Sequence, residues 1–341
     1  MGQRLTAIGC AILVGAAAAA VQAQQAQNFD AVQMDVQHVS GNVYMVVGAG
    51  GNTTLHVGSE GVLVVDTQFA PVSDKLLAEI RKLSTLPIRW IVNTHMHPDH
   101  MGGNDAIARA GRARVGGNVV GDLGAAAGAT ARIIAHENAL TRLSLLQAKG
   151  ELAFGALPTD TFFVPRHDML FNGEPVQMFH QPRAHTDGDI LVHFRKSDVV
   201  STGDLFTTVM YPFIDEANGG TIDGYVRSLN NILALTVASN VNEGGTMVIP
   251  GHGRLSDEQD VIEYRDMVTI VRDRIREYAT RGMTLEQVKA KRPTLDFDAR
   301  YGTDTGFWTT SMFIDVIYRQ MAAAHAPKPT QKPAAPRRGN Q

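Results

Sequence analysis

The stretch Thr94-His95-Met96-His97-Pro98-Asp99-His100 decides how the rest of the chain is read. Three histidines and an aspartate fall within six residues. Imidazole and carboxylate are the donors that zinc accepts where no thiolate is offered. The run follows an apolar segment, Ile88 to Asn93 (IRWIVN), which reads as a buried strand. It precedes Gly102-Gly103 and a helical pattern from Asn104 to Arg109. A loop at a strand end can turn alternate side chains towards one centre.

Further candidates stand at other strand ends. His185 lies in Ala184-His185-Thr186-Asp187-Gly188-Asp189, before the strand at Ile190. Asp204 lies in Thr202-Gly203-Asp204, after Val199-Val200, and His252 in Pro250-Gly251-His252-Gly253, after the strand from Met247 to Ile249. Asp66 closes the apolar strand from Gly61 (GVLVVD). Small residues beside most of them leave the backbone room near a site. Ser201 and Thr202 read as strand-end packing rather than as nucleophiles.

Away from the motif, strands are expected near 32–39, 43–47, 54–57, 113–116, 161–170, 175–179, 190–194 and 198–201. Helices are expected at 72–83, 222–235, 284–291 and 311–324, with a long one capped by Ser256 and running to about Thr280. The alanine-rich stretch from Ala125 to Gln147 reads as a helical insertion, with a lid as one open role for it. His136 within it is a candidate for substrate contact. Tyr211-Pro212-Phe213, after the Asp204 loop, is a candidate pocket wall, through Tyr211 and Phe213. The other histidines read as surface or packing residues.

The ordered set Asp66, His95 to His100, His185, Asp204 and His252 resembles the metallo-β-lactamase superfamily over about Asn28 to Ala324. That resemblance implies an α/β fold, a four-layer αββα sandwich, with a site for two zinc ions, iron or manganese being the other candidates. It implies that His95, His97 and His185 hold the first ion, and that Asp99, His100 and His252 hold the second. Asp204 bridges them, and Asp66 supports the motif loop from behind. The expected nucleophile is a hydroxide shared by the ions, with Asp99 orienting it and moving its proton. Two departures bear on substrate. Asp204 stands where many β-lactamases of this family have cysteine, and Thr207 where they have a carboxylate-gripping lysine. The Asp204 pattern is closer to glyoxalase II, sulfatases, lactonases and less typical β-lactamases. His97, where flavodiiron oxygen reductases usually have glutamate, argues against a di-iron redox role.

The opening of the chain sets its destination. Arg4, then an apolar run from Ala7 to Ala20, then Val21-Gln22-Ala23 read as a signal peptide over residues 1–23 and a linker over 24–28. Cys10, the only cysteine of the 341 residues, sits inside that signal, so metal donors must be nitrogen and oxygen. The hydrolase domain is expected over 29–324, followed by a Pro/Lys/Gln/Arg-rich disordered tail over 325–341. A net charge of -3 without a basic stripe gives no reason to expect a nucleic-acid partner. The resulting expectation is a periplasmic or secreted zinc hydrolase acting on a small molecule, not inserted in the membrane once the signal is removed. Cleavage of a cyclic amide or ester leads, with a β-lactam as best guess. An ester, thioester, lactone or sulfate ester is the alternative, followed by a nuclease or a metal-binding protein without turnover.

Overall fold

The computed structural model describes residues 28–113, 129–241 and 244–325. The expected signal and the tail beyond residue 325 lie outside the described residues, as does most of the strand expected at 113–116.

Side-chain alternation assigns each strand face to a layer. In β4 (Gly61–Val65), between β3 (Thr53–Gly58) and β5 (Ile88–Val92), every residue is buried. Leu63 and Val65 point towards the second sheet, while Val62 and Val64 point towards helices. The first sheet has seven strands in sequence order, adding β1 (Asp35–Ser40), β2 (Val43–Val47), β6 (Arg132–His136) and β7 (Asp160–Phe162). Strands β1 to β4 pair antiparallel, and β4 to β7 pair parallel. The second sheet runs β12-β11-β10-β9-β8, from β8 (Arg166–Phe171) through β9 (Glu174–His180), β10 (Ile190–Phe194) and β11 (Val199–Ser201) to β12 (Met247–Ile249).

Between the sheets, Val43, Met45, Val92, Ile134 and Phe162 meet Val176, Met178, Val192, Phe194 and Ile249. The outer face of the first sheet is covered by α1 (Ser73–Leu83), through Leu76 and Ile80, and by a later helix through Ile107. The short α2 (Pro98–Met101) falls within the histidine motif, and that later helix is α3 (Asn104–Ala110). Helix α4 (Glu137–Ala148) follows β6. The outer face of the second sheet is covered by α5 (Ile222–Leu235) and α6 (Glu258–Thr280), and then α7 (Leu285–Ala290), α8 (Asp298–Tyr301) and α9 (Thr310–His325). The result is the expected four-layer αββα arrangement. Among the described residues, no helix is long and apolar enough to cross a membrane.

Two expectations are corrected. Of the helical insertion expected from Ala125 to Gln147, residues 125–128 lie outside the described residues, and Arg132–His136 is not helical but β6, paired with β5 and β7 inside the main sheet. Only Glu137–Ala148 is helical. The long helix is capped by Asp257, whose side chain accepts from the Asp260 amide, while Ser256 pairs with Val248.

At the sheet ends far from the motif, Glu174 lies 2.9 Å from His56 Nε2, both buried. Its carboxylate also accepts from the Ser197 amide at 2.6 Å and the Ser197 hydroxyl at 3.0 Å. Burial pushes its pKa up, but His56 and Ser197 outweigh this and hold it below the ordinary value. A carboxylate with a depressed folded pKa stabilises above its unfolded pKa of about 4.3, and that stabilisation disappears as pH falls through the folded value. Glu174→Gln is expected to cost about 2 kcal/mol at pH 7 in urea denaturation. The gap to the native chain should close below about pH 4; a pH-independent gap would contradict the account.

Candidate metal centre

Asp66, His95, His97, Asp99, His100, His185, Asp204 and His252 come from separate strand ends and meet at one edge of the sandwich. Two donor groups form there: His95, His97, His185 and Asp204 in one, and Asp99, His100 and His252 in the other. Within each, one donor atom per residue lies within 4.8 Å of the others. Asp204 faces both groups. Its Oδ2 is 3.9 Å from His95 Nε2 and 3.7 Å from His185 Nε2. Its Oδ1 is 3.0 Å from His100 Nε2 and 3.3 Å from His252 Nε2.

Each of four histidines has its outer ring nitrogen bound to the protein. His100 Nδ1–H donates to Asp66 Oδ2 at 2.7 Å, and His97 Nε2–H donates to Asp215 Oδ2 at 2.8 Å. His185 Nδ1–H donates to the Phe213 carbonyl at 2.6 Å. His95 Nδ1–H donates to Thr94 Oγ1 at 3.0 Å, and the Thr94 hydroxyl donates to Asp66 Oδ2 at 2.6 Å. These partners hold a proton on each outer nitrogen, so the inner nitrogens are the ones that offer a lone pair to an ion once they are deprotonated. His97 Nδ1 and His185 Nε2 then face each other at 2.8 Å, and the buried His95 Nε2 has no hydrogen-bond partner among the described residues. Converging lone pairs of this kind call for a cation between them. The donor set fits a nitrogen- and oxygen-preferring divalent ion.

The charges are strongly coupled. Burial lowers the pKa of His100, but the carboxylates of Asp204, Asp99 and Asp66 outweigh it and hold the ring well above its ordinary value. His252, opposed in the same way by burial, is raised to about 9 by Asp204 and Asp99. Burial raises Asp99, yet His100 and His252 bring it to about 2. In the first group, burial and then the charge of His97 push His185 down to about 4.

The backbone makes the approach possible. Gly203 has φ of +51°, and a Cβ there would sit 2.3 Å from Thr94 Oγ1. A Cβ on Gly51 would enter the His100 ring, 2.1 Å from Cε1. The Gly48 to Asn52 turn also grips the site: the Gly51 amide donates to the Asp99 carbonyl at 2.9 Å, and Asn52 Nδ2 donates to the carbonyls of Pro250 and Gly253, each at 3.0 Å.

Among the candidate pocket residues, only Phe213 reaches the groups, with its ring 5.7 Å from His97 and 5.5 Å from His185. Tyr211 is a core residue, stacked on Phe313 with its hydroxyl donating to Asp298 Oδ1 at 2.9 Å. His136 caps α4 by accepting from the Asn138 amide and stacks on His180. Sequence reasoning missed Asp215, Asn52 and Asp189. Asp189 is pushed up to about 7 by burial and holds the His185 loop by accepting from the Thr186 amide at 2.7 Å.

A family model described as the metallo-beta-lactamase superfamily matches residues 46–252. The chain belongs to the metallo-β-lactamase superfamily. Within this superfamily, it is 27% identical over 258 residues to a linear primary-alkylsulfatase of Pseudomonas sp. strain ATCC 19151, covering 68% of this chain and 48% of that protein. It is 22% identical over 211 residues to a metallo-beta-lactamase type 2 of Bacillus sp. strain 170, covering 62% of this chain and 69% of that one. Among solved structures, an inverting sec-alkylsulfatase from Pseudomonas sp. superposes with a TM-score of 0.64 at 15% identity, over 84% of this chain and 50% of that one. A metallo-beta-lactamase from Pontibacter korlensis superposes with a TM-score of 0.52 at 16% identity, over 70% and 99%. The superfamily chain thus spans about half the length of these two alkylsulfatases.

The Asp215 bond to His97 predicts that Asp215→Ala weakens zinc binding about 10- to 100-fold in chelator competition, with the fold intact; unchanged affinity would contradict this. Because Asp204 and Asp99 raise His252 to about 9, zinc binding to metal-free protein below that pH should release protons, and affinity should fall as pH drops. Calorimetry in buffers of different ionisation enthalpy measures that release.

Proposed function

We propose that this chain is an exported hydrolase that holds two zinc ions and cleaves sulfate esters. His95, His97 and His185 would hold one ion, Asp99, His100 and His252 the other, and Asp204 both. Such ions supply charge stabilisation and a nucleophilic water at neutral pH. Asp99 is ionised at neutral pH and 22% exposed, so it can accept a proton from that water. One water enters, the ester bond breaks, and the proton ends on the leaving oxygen. The exposed faces of His252 and Asp99 put this chemistry at the open side, while His100 and His185 close the floor. The signal-like residues 1–23 support export.

The observation that carries the substrate choice is the 258-residue likeness to a protein named as a linear primary-alkylsulfatase. β-Lactam cleavage is the second reading. It is favoured by the Bacillus β-lactamase, of which the chain covers the larger share, 69%. Against it, Thr207 supplies no cation for a substrate carboxylate. Arg254, the basic residue near His252, directs its guanidinium to Asp260 at 2.8 and 2.5 Å.

The deciding experiment follows sulfate release from hexyl sulfate, and colour release from a chromogenic cephalosporin, by zinc-loaded protein with and without chelator. Chelator-sensitive sulfate release is expected. Cephalosporin turnover alone would move the assignment to the second reading, and turnover of neither would reject both. Asp99→Asn, assayed with bound zinc counted because Asp99 also belongs to the second donor group, is expected to lower kcat by about 10²- to 10⁴-fold per zinc-loaded molecule; an unchanged kcat would remove Asp99 from the proton-transfer role.

A further inference from the structure

Phe307 holds its ring 53% exposed, on the loop between α8 and α9. The loop is closed on itself: the Thr310 amide donates to the Thr303 carbonyl at 2.9 Å, and the Thr303 amide to Thr310 Oγ1 at 3.0 Å. Gly306, at φ +98°, turns the chain immediately before the ring. Phe307 meets Phe213 edge-on, with centroids 5.8 Å apart, and Phe213 in turn contacts His97 and His185. Trp308, buried beside them, backs Phe213 at 4.8 Å. An aromatic path therefore runs from the first donor group to solvent.

This path is rigidly mounted. The Tyr211 amide donates to the Tyr301 carbonyl at 3.2 Å, and the Tyr211 hydroxyl lies between Asp298 Oδ1 at 2.9 Å and the Thr294 carbonyl at 3.1 Å. These bonds tie the segment leading to Phe213 to α8 and the residues before it, and α8 leads into the loop that carries Phe307. On the side of the second donor group, Val209 is 54% exposed beside Gly253, next to His252: a Cβ on that glycine would lie 3.0 Å from Val209 Cγ1. Exposed apolar side chains thus stand near both donor groups, and more than half of Phe307 is exposed. Fixed apolar surface next to reactive groups is what binds the unreactive part of a substrate.

We propose that Phe213 and Phe307 form the subsite for the alkyl chain of the ester, and that Phe307 sets the chain length preferred. This rests on the sulfate-ester reading above for the nature of the head group. The test is calorimetric binding of n-alkylsulfonates, butyl to octyl and below micellar concentrations, to the zinc-loaded protein. Their carbon–sulfur bond replaces the ester oxygen, so binding is read without turnover. Affinity is expected to rise by up to about fourfold per methylene. Phe307→Ala should cut that increment to below about twofold for the longer chains while leaving butylsulfonate affinity and zinc content unchanged. Phe307→Leu should restore most of it. Leu170→Ala, an exposed apolar residue at the far end of the second sheet, should leave the slope as it is. An equal slope in Phe307→Ala, a slope of zero in the native chain, or no binding at all would overturn the proposal. A slope that depends on Phe307, found in a protein that does not hydrolyse alkyl sulfates, would keep the subsite and reject the assigned reaction.

Discussion

The carboxylate of Asp66 is the constraint on which the rest of the site depends. It sits at the end of β4, where the chain turns through two left-handed residues, Asp66 at φ 60° and Gln68 at φ 56°. Aspartate tolerates that region better than most side chains, and here it gains three bonds for the distortion. Oδ1 accepts from the Thr94 amide at 2.8 Å, and Oδ2 accepts from the Thr94 hydroxyl and from His100. One side chain thereby fixes where the motif loop leaves β5 and which nitrogen of His100 faces inward. Through Thr94 it does the same for His95. The Thr67 amide, donating to the His100 carbonyl at 2.6 Å, and the Gly103 amide, donating to the Gln68 carbonyl at 3.2 Å, lock the turn to the loop from below.

A second support comes from sequence that lies after the last of the candidate donors, His252. Helices α6 to α9 pack on the outer face of the second sheet and hold the loop from Phe206 to Asp215 through Tyr264, Tyr301 and Phe313. That loop carries the Phe213 carbonyl behind His185 and the Asp215 carboxylate behind His97. Metal-donor orientation in the first group is therefore coupled to packing of the C-terminal helices. Loosening that packing would disorder the donors without touching them.

The candidate donors were legible in the sequence because each lies in a loop that follows or precedes a short apolar strand, and all seven carry imidazole or carboxylate. The layered fold was legible from strand and helix periods: Ile190–Phe194, Ile222–Leu235 and Met247–Ile249 have the expected bounds. What stayed hidden depends on contacts distant in sequence. Asp215 bonds His97 across 118 positions, and Asn52 reaches Gly253 across 201, so no spacing could reveal either. Strand β6 is only five residues, beginning with arginine and ending with histidine beside an alanine-rich stretch, and local composition favoured helix there. Its strand state comes from burial between β5 and β7. Proximity to the Asp204 loop makes Tyr211 look like a pocket residue, but its hydroxyl finds partners in the core, which keeps it there.

The central claim is that two adjacent donor groups, held by outer partners, bind two metal ions. Zinc titration of metal-free protein, with the bound metal counted by elemental analysis, tests it most directly. The account predicts two equivalents for the native chain and one for His252→Ala, whose first group is untouched. A native chain that binds a single equivalent, or a His252→Ala variant that still binds two, would contradict it.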